Sequence, residues 1–530
     1  MAETVFVRKA TGLVREVGLL SAMMFCLTYT VQIFAPMVVM PYYAAYGNFV
    51  GNFWLGLAIG LVAALLVNSV YAHFSSAMPR SGGEYVFLGR TIHPLLGFAP
   101  NWVWACIASF WNAANLVFFA NIAPLFLSSF YSQEALAPLY TTWGMFGLGF
   151  ICWIFVSLLA MTGMRWYLRV QYVTWIVQFI ALGVIAYFIM AAAGNFPALF
   201  NRWAMQYVPT EPDMYHKIIN DAVAAGFQLN PPAEGPMMPQ TLAWAAAVIG
   251  QAVPYTAGII WIAGEVKKAE SGIRQHISME TATFLTVAVW LVGGLTWLIA
   301  TDTKFMAAFY YLGSVNGLPL SFFFWTFFPA IMPTWAISLF SLAALLILIV
   351  VCFAGVMVFS RCLFAWSFDR LMPSFFAHVS DRNKTPTTAL ATGLIVALAL
   401  LVLEVNVNIW TYIGAAYFMV MINIFIVSFA GMVFPYVRKD MFEQMPLKAR
   451  IAGIPVLSII SFLAVVFMAL AGTSYFTNSA YMVSFGVTQT MIGFAVLVWV
   501  LGFVIYFISR AYNKSRGIDL SKAFAQIPPA

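Results

Sequence analysis

Charged residues are scarce in this sequence. Asp, Glu, Lys and Arg together make up 8% of its 530 residues, whereas 63% are hydrophobic. A water-soluble domain has about a quarter of its residues charged, so water could not hydrate the surface of this chain. No polar stretch is long enough to form a separate soluble domain. We therefore predict a single membrane domain over residues 1–530, surrounded by membrane lipid.

Patterns that would indicate chemistry are also missing. No HExxH motif, no pair of intramembrane carboxylates, no Ser/His/Asp set and no Gly-rich phosphate loop with a lysine is present, which argues against an enzyme or a primary pump. The net charge of +7 is explained by basic residues at the inner membrane face rather than by a nucleic-acid partner. We expect no metal and no cofactor, because the cysteines lie in apolar stretches without metal or disulfide spacing. They are Cys26, Cys106, Cys152, Cys352 and Cys362.

Long apolar runs dominate the chain, and a membrane span needs roughly 20 such residues. The runs predict an all-α protein with helices 1–5 within about 17–193, an outer loop at about 195–240, helices 6–10 within about 241–433, and helices 11–12 within about 451–509. The twelve predicted helices lie near 17–46, 53–76, 97–130, 142–162, 170–193, 241–263, 278–300, 334–366, 387–404, 407–433, 451–472 and 487–509. The patch at 322–330 is too short to span and is interpreted as lying at the membrane face.

The basic residues test this count of twelve. With both termini inside, the inner segments hold all but three of the 25 Lys and Arg residues, as expected when positive residues stay in the cytoplasm. The exceptions are Arg202, Lys217 and Lys304. The sequence thus predicts a multi-pass protein of the cell membrane with cytoplasmic N- and C-termini. The outer loop is interpreted as a solvated loop, with a lid as the alternative.

Helices 1 and 6 are interrupted at corresponding positions. Thr28–Pro36 in helix 1 and Gly250–Gly258 in helix 6 both contain a proline, and each helix begins a unit of five. Interrupted helices at matching positions are typical of transporters with inverted repeats, where the freed backbone groups bind substrate. An ordinary proline kink in each helix is the alternative. Polar side chains in these segments that can serve as partners are Thr28, Thr30, Gln32, Gln251, Tyr255 and Thr256.

No Asp, Glu, Lys or Arg falls in the middle of a predicted span. A binding site there must use neutral side chains and helix ends, which favours a neutral or zwitterionic solute over a strongly cationic one. On helix 3, Trp111, Asn112 and Asn115 share one helical face and are expected to reach the same cavity. The two asparagines could instead form helix–helix contacts.

Three motifs on predicted inner loops resemble those of the amino acid–polyamine–organocation (APC) superfamily. Met78–Arg90, with Gly82 and Gly83, is similar to its "P-R-x-G-G-x-Y" signature. Glu265–Ile277 resembles "E-E-V-K-N-P…L-P-R-A-I", and Ser360–Pro373 resembles "S-R-x-L-Y-A-x-A-R-D-G-x-L-P". They occur in the family's order and, with the spans, cover essentially the whole chain. Within them, the glycine pair permits a tight turn with positive φ, and we expect Arg361 and Asp369 to pair with each other and to shape an inner gate.

The resemblance implies a five-plus-five inverted repeat with two additional helices, and alternating access about a site at the membrane midplane. In the family, the unwound part of helix 1 reads roughly "G-S-G-I-F" and its amides hold a substrate carboxylate. Here Thr30-Val-Gln32-Ile33-Phe34 lacks both glycines, and on helix 6 Tyr255 and Ala257 replace a glycine and an acid. Two alternatives follow: the Gln32 side chain replaces a backbone donor, or the substrate lacks an α-carboxylate. The resemblance implies an amino acid or related small neutral or zwitterionic amine, with its identity left open.

The resemblance also bears on ion coupling. Some proton-coupled members of the superfamily have a lysine on helix 5, seven residues after a glutamine that matches Gln171. Gln178 occupies that position here, and glutamine cannot titrate. Coupling to H⁺ elsewhere, coupling to Na⁺, and uniport or exchange all remain open. A non-transporting membrane sensor or assembly subunit on the same scaffold is the alternative function, because fold does not imply function.

Overall fold

The fold is almost entirely helical, as predicted. A computed structural model describes residues 11–28, 52–229, 241–242, 245, 256–314, 328–407, 409–477 and 489–527. In this part of the chain, nine helices are long and apolar enough to cross a membrane. The protein is therefore an all-α polytopic membrane protein. The count of twelve helices and the inverted repeat stay predictions, because parts of helices 1 and 6 lie outside the described residues.

The long helices keep the names that the sequence predicts. They are Leu19–Thr28 (the described part of helix 1), Phe53–Ala77 (helix 2), Pro94–Leu127 (helix 3), Thr142–Thr162 (helix 4), Met164–Ala192 (helix 5), Gly272–Trp290 continuing through Thr296–Thr301 (helix 7), Thr334–Phe368 (helix 8), Thr387–Val407 (helix 9), Trp410–Val437 (helix 10), Val456–Thr477 (helix 11) and Gln489–Ser515 (helix 12). Of helix 6, the described end is a 3₁₀ helix, Gly258–Glu265.

Shorter elements connect these helices. They are the α-helices Glu84–Thr91, Gln133–Leu136, Phe196–Ala204, Met214–Ala224, Thr303–Ser314, Phe328–Ile331, Lys439–Phe442 and Ser521–Phe524, the 3₁₀ helices Ala137–Tyr140 and Ser374–Ala377, the π-helix Leu291–Leu295, and a two-stranded antiparallel hairpin of Arg450–Ile451 and Ile454–Pro455. In the predicted membrane-face patch, residues 322–327 lie outside the described residues. Phe328 packs against Phe340 of helix 8, with ring centroids 4.8 Å apart.

The interpretation of 195–240 as a solvated loop was wrong for its described part. The helices Phe196–Ala204 and Met214–Ala224 occupy it, and both pack on their apolar sides. Tyr215 stacks on Phe305 with ring centroids 4.4 Å apart, and Phe200 lies 5.1 Å from the same ring. Burial of these aromatic rings stabilises the two helices, which are called the outer cap because the sequence predicts that they lie outside. The four acidic residues of the segment made it resemble a solvated loop in the sequence.

Helix 7 begins at Gly272, six residues before its predicted start. Glu280 consequently lies about 12 Å along the helix, at 1.5 Å per residue. This is about a quarter of the way along the span Gly272–Thr301, so the absence of charged residues from the middle of the spans stays a prediction. Glu280 is partly exposed, and its Oε1 contacts Nδ1 of His276 at 2.7 Å. A histidine one turn away offsets part of the cost of placing this carboxylate there.

Helix 8 forms the centre of the bundle. It is apolar on all sides and packs against helices 3, 4, 5 and 9, as expected for a helix without a polar face. Its residues from Val350 to Phe368 are almost all buried. Helix 8 thus provides a fixed surface on which the ends of helices 2, 3 and 6 meet.

Candidate substrate path and inner gate

The turn between helix 2 and Glu84–Thr91 is here called the gate turn, because the sequence predicts an inner gate at this motif. It connects several elements at one end of the bundle. This end is called the inner face, because the sequence predicts it to be cytoplasmic. The amide of Gly82 donates to the carbonyl of Trp261 at 3.2 Å. The amide of Gly264 donates to Oγ of Ser81 at 3.2 Å. These bonds attach the turn to the 3₁₀ helix at the end of helix 6.

The same turn is attached to helices 3 and 8. Nδ2 of Asn101 donates to the carbonyl of Gly82 at 3.0 Å. Nε1 of Trp366 in turn donates to Oδ1 of Asn101 at 2.9 Å. All three residues are buried, so these hydrogen bonds form away from water, where losing one is costly.

Both glycines of the turn adopt positive φ, 121° at Gly82 and 60° at Gly83, as the motif predicts. A Cβ on Gly82 would lie 2.7 Å from Cβ of Ala365, and one on Gly83 would lie 2.7 Å from Cδ1 of Trp261. Only a residue without a side chain fits here without displacing its neighbours.

A buried ion pair joins helix 8 to the end of helix 6. Nε of Arg361 lies 2.8 Å from Oε1 of Glu265, and Nη2 lies 3.0 Å from Oε2. The segment before helix 1 is joined to the same place, because the amide of Val17 donates to the carbonyl of Glu265 and the amide of Lys267 donates to the carbonyl of Val17, each at 2.9 Å. The inner ends of helices 1 and 6 are therefore linked to each other and to helix 8.

A second buried ion pair joins the helix Glu84–Thr91 to the end of helix 8. Nη2 of Arg90 lies 2.8 Å from Oδ2 of Asp369, which also accepts from the hydroxyl of Tyr85 at 2.8 Å. Nε of Arg90 donates to the carbonyl of Gln526 at 2.8 Å, and the guanidinium lies 5.3 Å from the ring centroid of Phe524. The segment after helix 12 thus completes the surroundings of this arginine.

The expected pairing of Arg361 with Asp369 was wrong. The two residues are eight positions apart at the end of helix 8, which places their backbones about 12 Å apart along the axis. Each instead pairs with a residue distant in sequence: Arg361 with Glu265, and Asp369 with Arg90.

Glu84 is a functional candidate that the sequence interpretation missed. It directly follows Gly83, is fully buried, and accepts a hydrogen bond from the Tyr71 hydroxyl at 2.9 Å. Burial raises the pKa of Glu84 to about 7. Its own backbone amide, the hydrogen bond from Tyr71 and the nearby indole N–H groups of Trp104 and Trp261 oppose this rise. A signal was available in the sequence, because this acid lies inside the glycine motif rather than on a polar surface.

A cavity of about 250 Å³ opens below the turn. Charged residues at its wall are Arg15, Arg80 and Asp369, and Ser81 and Gly264 also line it. None of the predicted substrate residues that the structure describes lines this cavity.

Of the predicted substrate residues on helices 1 and 6, only Thr28 and Thr256 belong to the described residues. Thr30, Gln32, Ile33, Gln251 and Tyr255 lie outside them. Thr28 is buried; its hydroxyl donates to the carbonyl of Met24 at 2.8 Å and accepts from Nε2 of Gln171 at 2.6 Å. Helix 5 therefore contacts helix 1 just where the predicted interruption begins.

Thr256 belongs to a buried neutral cluster. Nδ2 of Asn68 on helix 2 donates to the hydroxyls of Thr256 at 2.8 Å and of Thr283 on helix 7 at 2.6 Å. Oδ1 of Asn68 is buried and has no hydrogen-bond partner among the described residues. Sequence reasoning missed Asn68 and Thr283, because a single polar residue in an apolar run carries no pattern of its own.

A family model described as amino acid permease matches residues 19–502. The chain belongs to this family, and with it to the APC superfamily. A comparison of the permease with curated proteins found no match.

Of the helix 3 residues predicted to reach the substrate, Asn112 of the permease contacts helix 8. Asn112 is buried, and a Cβ on Gly355 would lie 2.1 Å from its Oδ1. With its amide in the orientation that satisfies both ends, Asn112 donates to the carbonyl of Cys352 and accepts from the amide of Val356, each at 3.2 Å. For Asn112 this geometry agrees with the alternative interpretation, in which the asparagine forms a contact between two helices. Asn115 is also buried, whereas Trp111 is half-buried.

Gln178 of the permease is buried at the contact between helices 5 and 8. Its Nε2 donates to the backbone carbonyl of Ala343. The side chain occupying the position of a titratable lysine in some relatives therefore joins two helices through a neutral hydrogen bond.

Proposed function

We propose that this permease is a secondary transporter that moves an amino acid or a related small neutral or zwitterionic amine by alternating access. Membership of the amino acid permease family supports transport of a small molecule. The observation that carries the proposal further is the set of buried contacts that join helix 6, the gate turn and helix 8 at the inner face.

Those contacts have the features of a gate in its closed state. The ion pair of Arg361 and Glu265 and the hydrogen bond from Gly82 to Trp261 each join two separate elements. Opening a path from the membrane interior to the inner face requires the 3₁₀ helix 258–265 to leave helix 8 and the turn. Because helix 1 is bonded to this segment through Val17, the two interrupted helices would move together.

The neutral cluster of Asn68, Thr256 and Thr283 supports the chemical class of the substrate. It contains amide and hydroxyl groups but no ionised side chain, and Oδ1 of Asn68 is a buried acceptor. An ammonium or amide N–H of a small solute would satisfy that acceptor, whereas a strongly cationic solute would need a carboxylate.

The test uses the purified full-length permease in two steps. First, its thermal unfolding midpoint is measured against a panel of amino acids and amines, because a ligand that binds the native state raises it. Second, uptake of each ligand that raises the midpoint is measured in proteoliposomes. Saturable uptake of a neutral or zwitterionic ligand supports the proposal. Ligands that stabilise the protein without any flux would instead indicate a sensor.

A further inference from the structure

Among the described residues, Glu84 differs from the other buried acids of the inner face because no cation pairs with it. Asp369 pairs with Arg90 and Glu265 pairs with Arg361. Among the residues that the structure describes, no ion pair includes Glu84; its direct hydrogen bond comes from the neutral Tyr71 hydroxyl, and its Oε2 has no hydrogen bond of normal geometry. A carboxylate in this position is stabilised only by neutral donors.

Its titratable neighbours do not supply the missing charge. Tyr71 on helix 2, Cys362 on helix 8 and, beside Cys362, Cys106 on helix 3 are the titratable groups near it. Phenols and thiols are neutral at pH 7. The indole groups of Trp104 on helix 3 and Trp261 on the 3₁₀ helix face the carboxyl and do not titrate. Burial therefore outweighs these donors and raises the pKa of Glu84 to about 7.

The donors around Glu84 lie on elements that must separate when the gate opens. Tyr71 belongs to helix 2, Trp104 to helix 3 and Trp261 to the segment 258–265. Trp261 also holds the gate turn through the bond from Gly82. When the segment leaves helix 8, Trp261 leaves Glu84 and water reaches the carboxyl, which stabilises its charged form.

We propose that Glu84 is a proton-binding site linked to the inner gate: its carboxyl holds a proton while the gate is closed and transfers it to water at the inner face when the gate opens. In this step the O–H bond of the carboxylic acid breaks, a water molecule accepts the proton, and Glu84 becomes a carboxylate. The inference rests on the proposed transport function only in assuming that the gate opens and closes.

The sign of the pH effect follows from linkage. The pKa of Glu84 is about 7 in the closed gate, against an ordinary value of 4.5. The closed gate therefore binds the proton more tightly than an open, hydrated gate. Acidic conditions stabilise the closed gate. Raising the pH from about 4.5 to about 7 shifts the equilibrium toward the open gate by up to about 300-fold, which corresponds to that difference in pKa, and the shift is complete above pH 7.

The first test detects the proton itself. Infrared titration of the purified permease should show a carboxylic acid carbonyl band that disappears with a midpoint near pH 7. The band should be missing in Glu84→Gln and present in Glu280→Gln, a matched change of another glutamate of the helical bundle. Tyr71→Phe removes the direct donor to the charged form and should move the midpoint to higher pH. A band that is unchanged in Glu84→Gln, or a midpoint near 4.5, would overturn the proposal.

The second test detects the gate. Hydrogen exchange of the segment 258–266 should be faster in wild type than in Glu84→Gln, which mimics the protonated acid. The ratio of the two rates should rise between about pH 4.5 and 7 and level off above pH 7. Comparing the two proteins at each pH cancels the intrinsic pH dependence of exchange. Helix 9, Thr387–Val407, is the internal control and should show a constant ratio. A constant ratio for 258–266 as well would overturn the link between proton and gate.

Neither measurement requires a substrate, so the two proposals can fail separately. Loss of every flux with an intact titration of Glu84 would contradict transport and leave the proton site standing. Substrate flux in a permease whose Glu84 does not titrate would support transport and contradict the proton site.

Discussion

The guanidinium of Arg361 contacts both carboxylate oxygens of Glu265, with N···O distances of 2.8 and 3.0 Å and both side chains buried. Bidentate geometry makes this a strong and directional contact. It joins the centre of the bundle to the segment that must move for the inner face to open. In the proposed gate, opening the inner face would require this pair to break.

Removing one partner of this pair should be costly. We expect Glu265→Gln to reduce the free energy of unfolding by about 3–5 kcal/mol, because Arg361 is left as a buried and incompletely paired charge. The matched control is Glu443→Gln, which breaks the exposed pair with Arg450 and should cost about 0–1 kcal/mol. Thermal unfolding of the purified proteins measures both. Equal effects would mean that burial of the pair has no energetic consequence.

Gly83→Val should slow transport while leaving substrate affinity nearly unchanged. The new side chain must adopt φ 60° and would meet Trp261 at 2.7 Å, so the gate turn cannot close as before. Gly453→Val is the matched control, because Gly453 also has positive φ, 81°, but nothing lies within 4 Å of its Cβ. The backbone strain of about 1–2 kcal/mol is common to both. Uptake and equilibrium binding measured side by side separate the two variants, and normal turnover in Gly83→Val would contradict a mechanical role.

Gln178 should have no role in proton coupling. Gln178→Ala removes the hydrogen bond to Ala343 and should destabilise the contact between helices 5 and 8 by about 1–3 kcal/mol. The pH dependence of uptake in proteoliposomes should nevertheless match wild type, because no titratable group has been removed. If the substitution abolished an existing pH dependence, the coupling site would have to include helix 5.

Thr256→Val should weaken substrate binding. Its hydroxyl belongs to the neutral cluster with Asn68 and Thr283, and losing one hydrogen bond costs about 1–3 kcal/mol, or roughly 5- to 150-fold in affinity. Thr392→Val is a matched control, since the Thr392 hydroxyl bonds only within helix 9 to the carbonyl of Thr388 at 2.9 Å. Binding isotherms for any ligand found by thermal shift provide the measurement. Equal affinities in both variants would place the substrate elsewhere.

The orientation in the membrane can be tested with single cysteines. Gln206→Cys lies on the exposed part of the outer cap and Lys384→Cys lies beyond helix 8. An impermeant thiol reagent added outside intact cells should label the first and not the second, because an odd number of predicted spans separates them. Labelling of Lys384→Cys from outside would contradict the predicted topology.

Much of the fold could be predicted because membrane spans are encoded locally, in the length of each apolar run. Helix 2 was predicted at 53–76 and is Phe53–Ala77, and helix 4 was predicted at 142–162 and is Thr142–Thr162. Short amphipathic elements such as Met214–Ala224 were missed, because their packing partner, Thr303–Ser314, is distant in sequence.

The contacts of the candidate site were less predictable, because the partners are distant in sequence. Arg361 has a nearby acid in Asp369, but its partner is Glu265, 96 positions away. Asp369 is paired with Arg90, 279 positions away. The motifs identified the residues that matter at the inner face, but only the arrangement of helices in space determines which of them meet. Glu84 stood inside a recognised motif, yet its lack of a cation becomes visible only when all its neighbours are known.

The contact between Arg90 and Gln526 also has a consequence for biosynthesis. The two residues are 436 positions apart, and a ribosome adds about 5–20 residues per second. Arg90 is therefore made roughly 20–90 s before the carbonyl that its Nε binds. During that interval the spans can insert one after another, but the inner face cannot acquire its final structure. We therefore expect the inner face to assemble only at the end of synthesis of the chain.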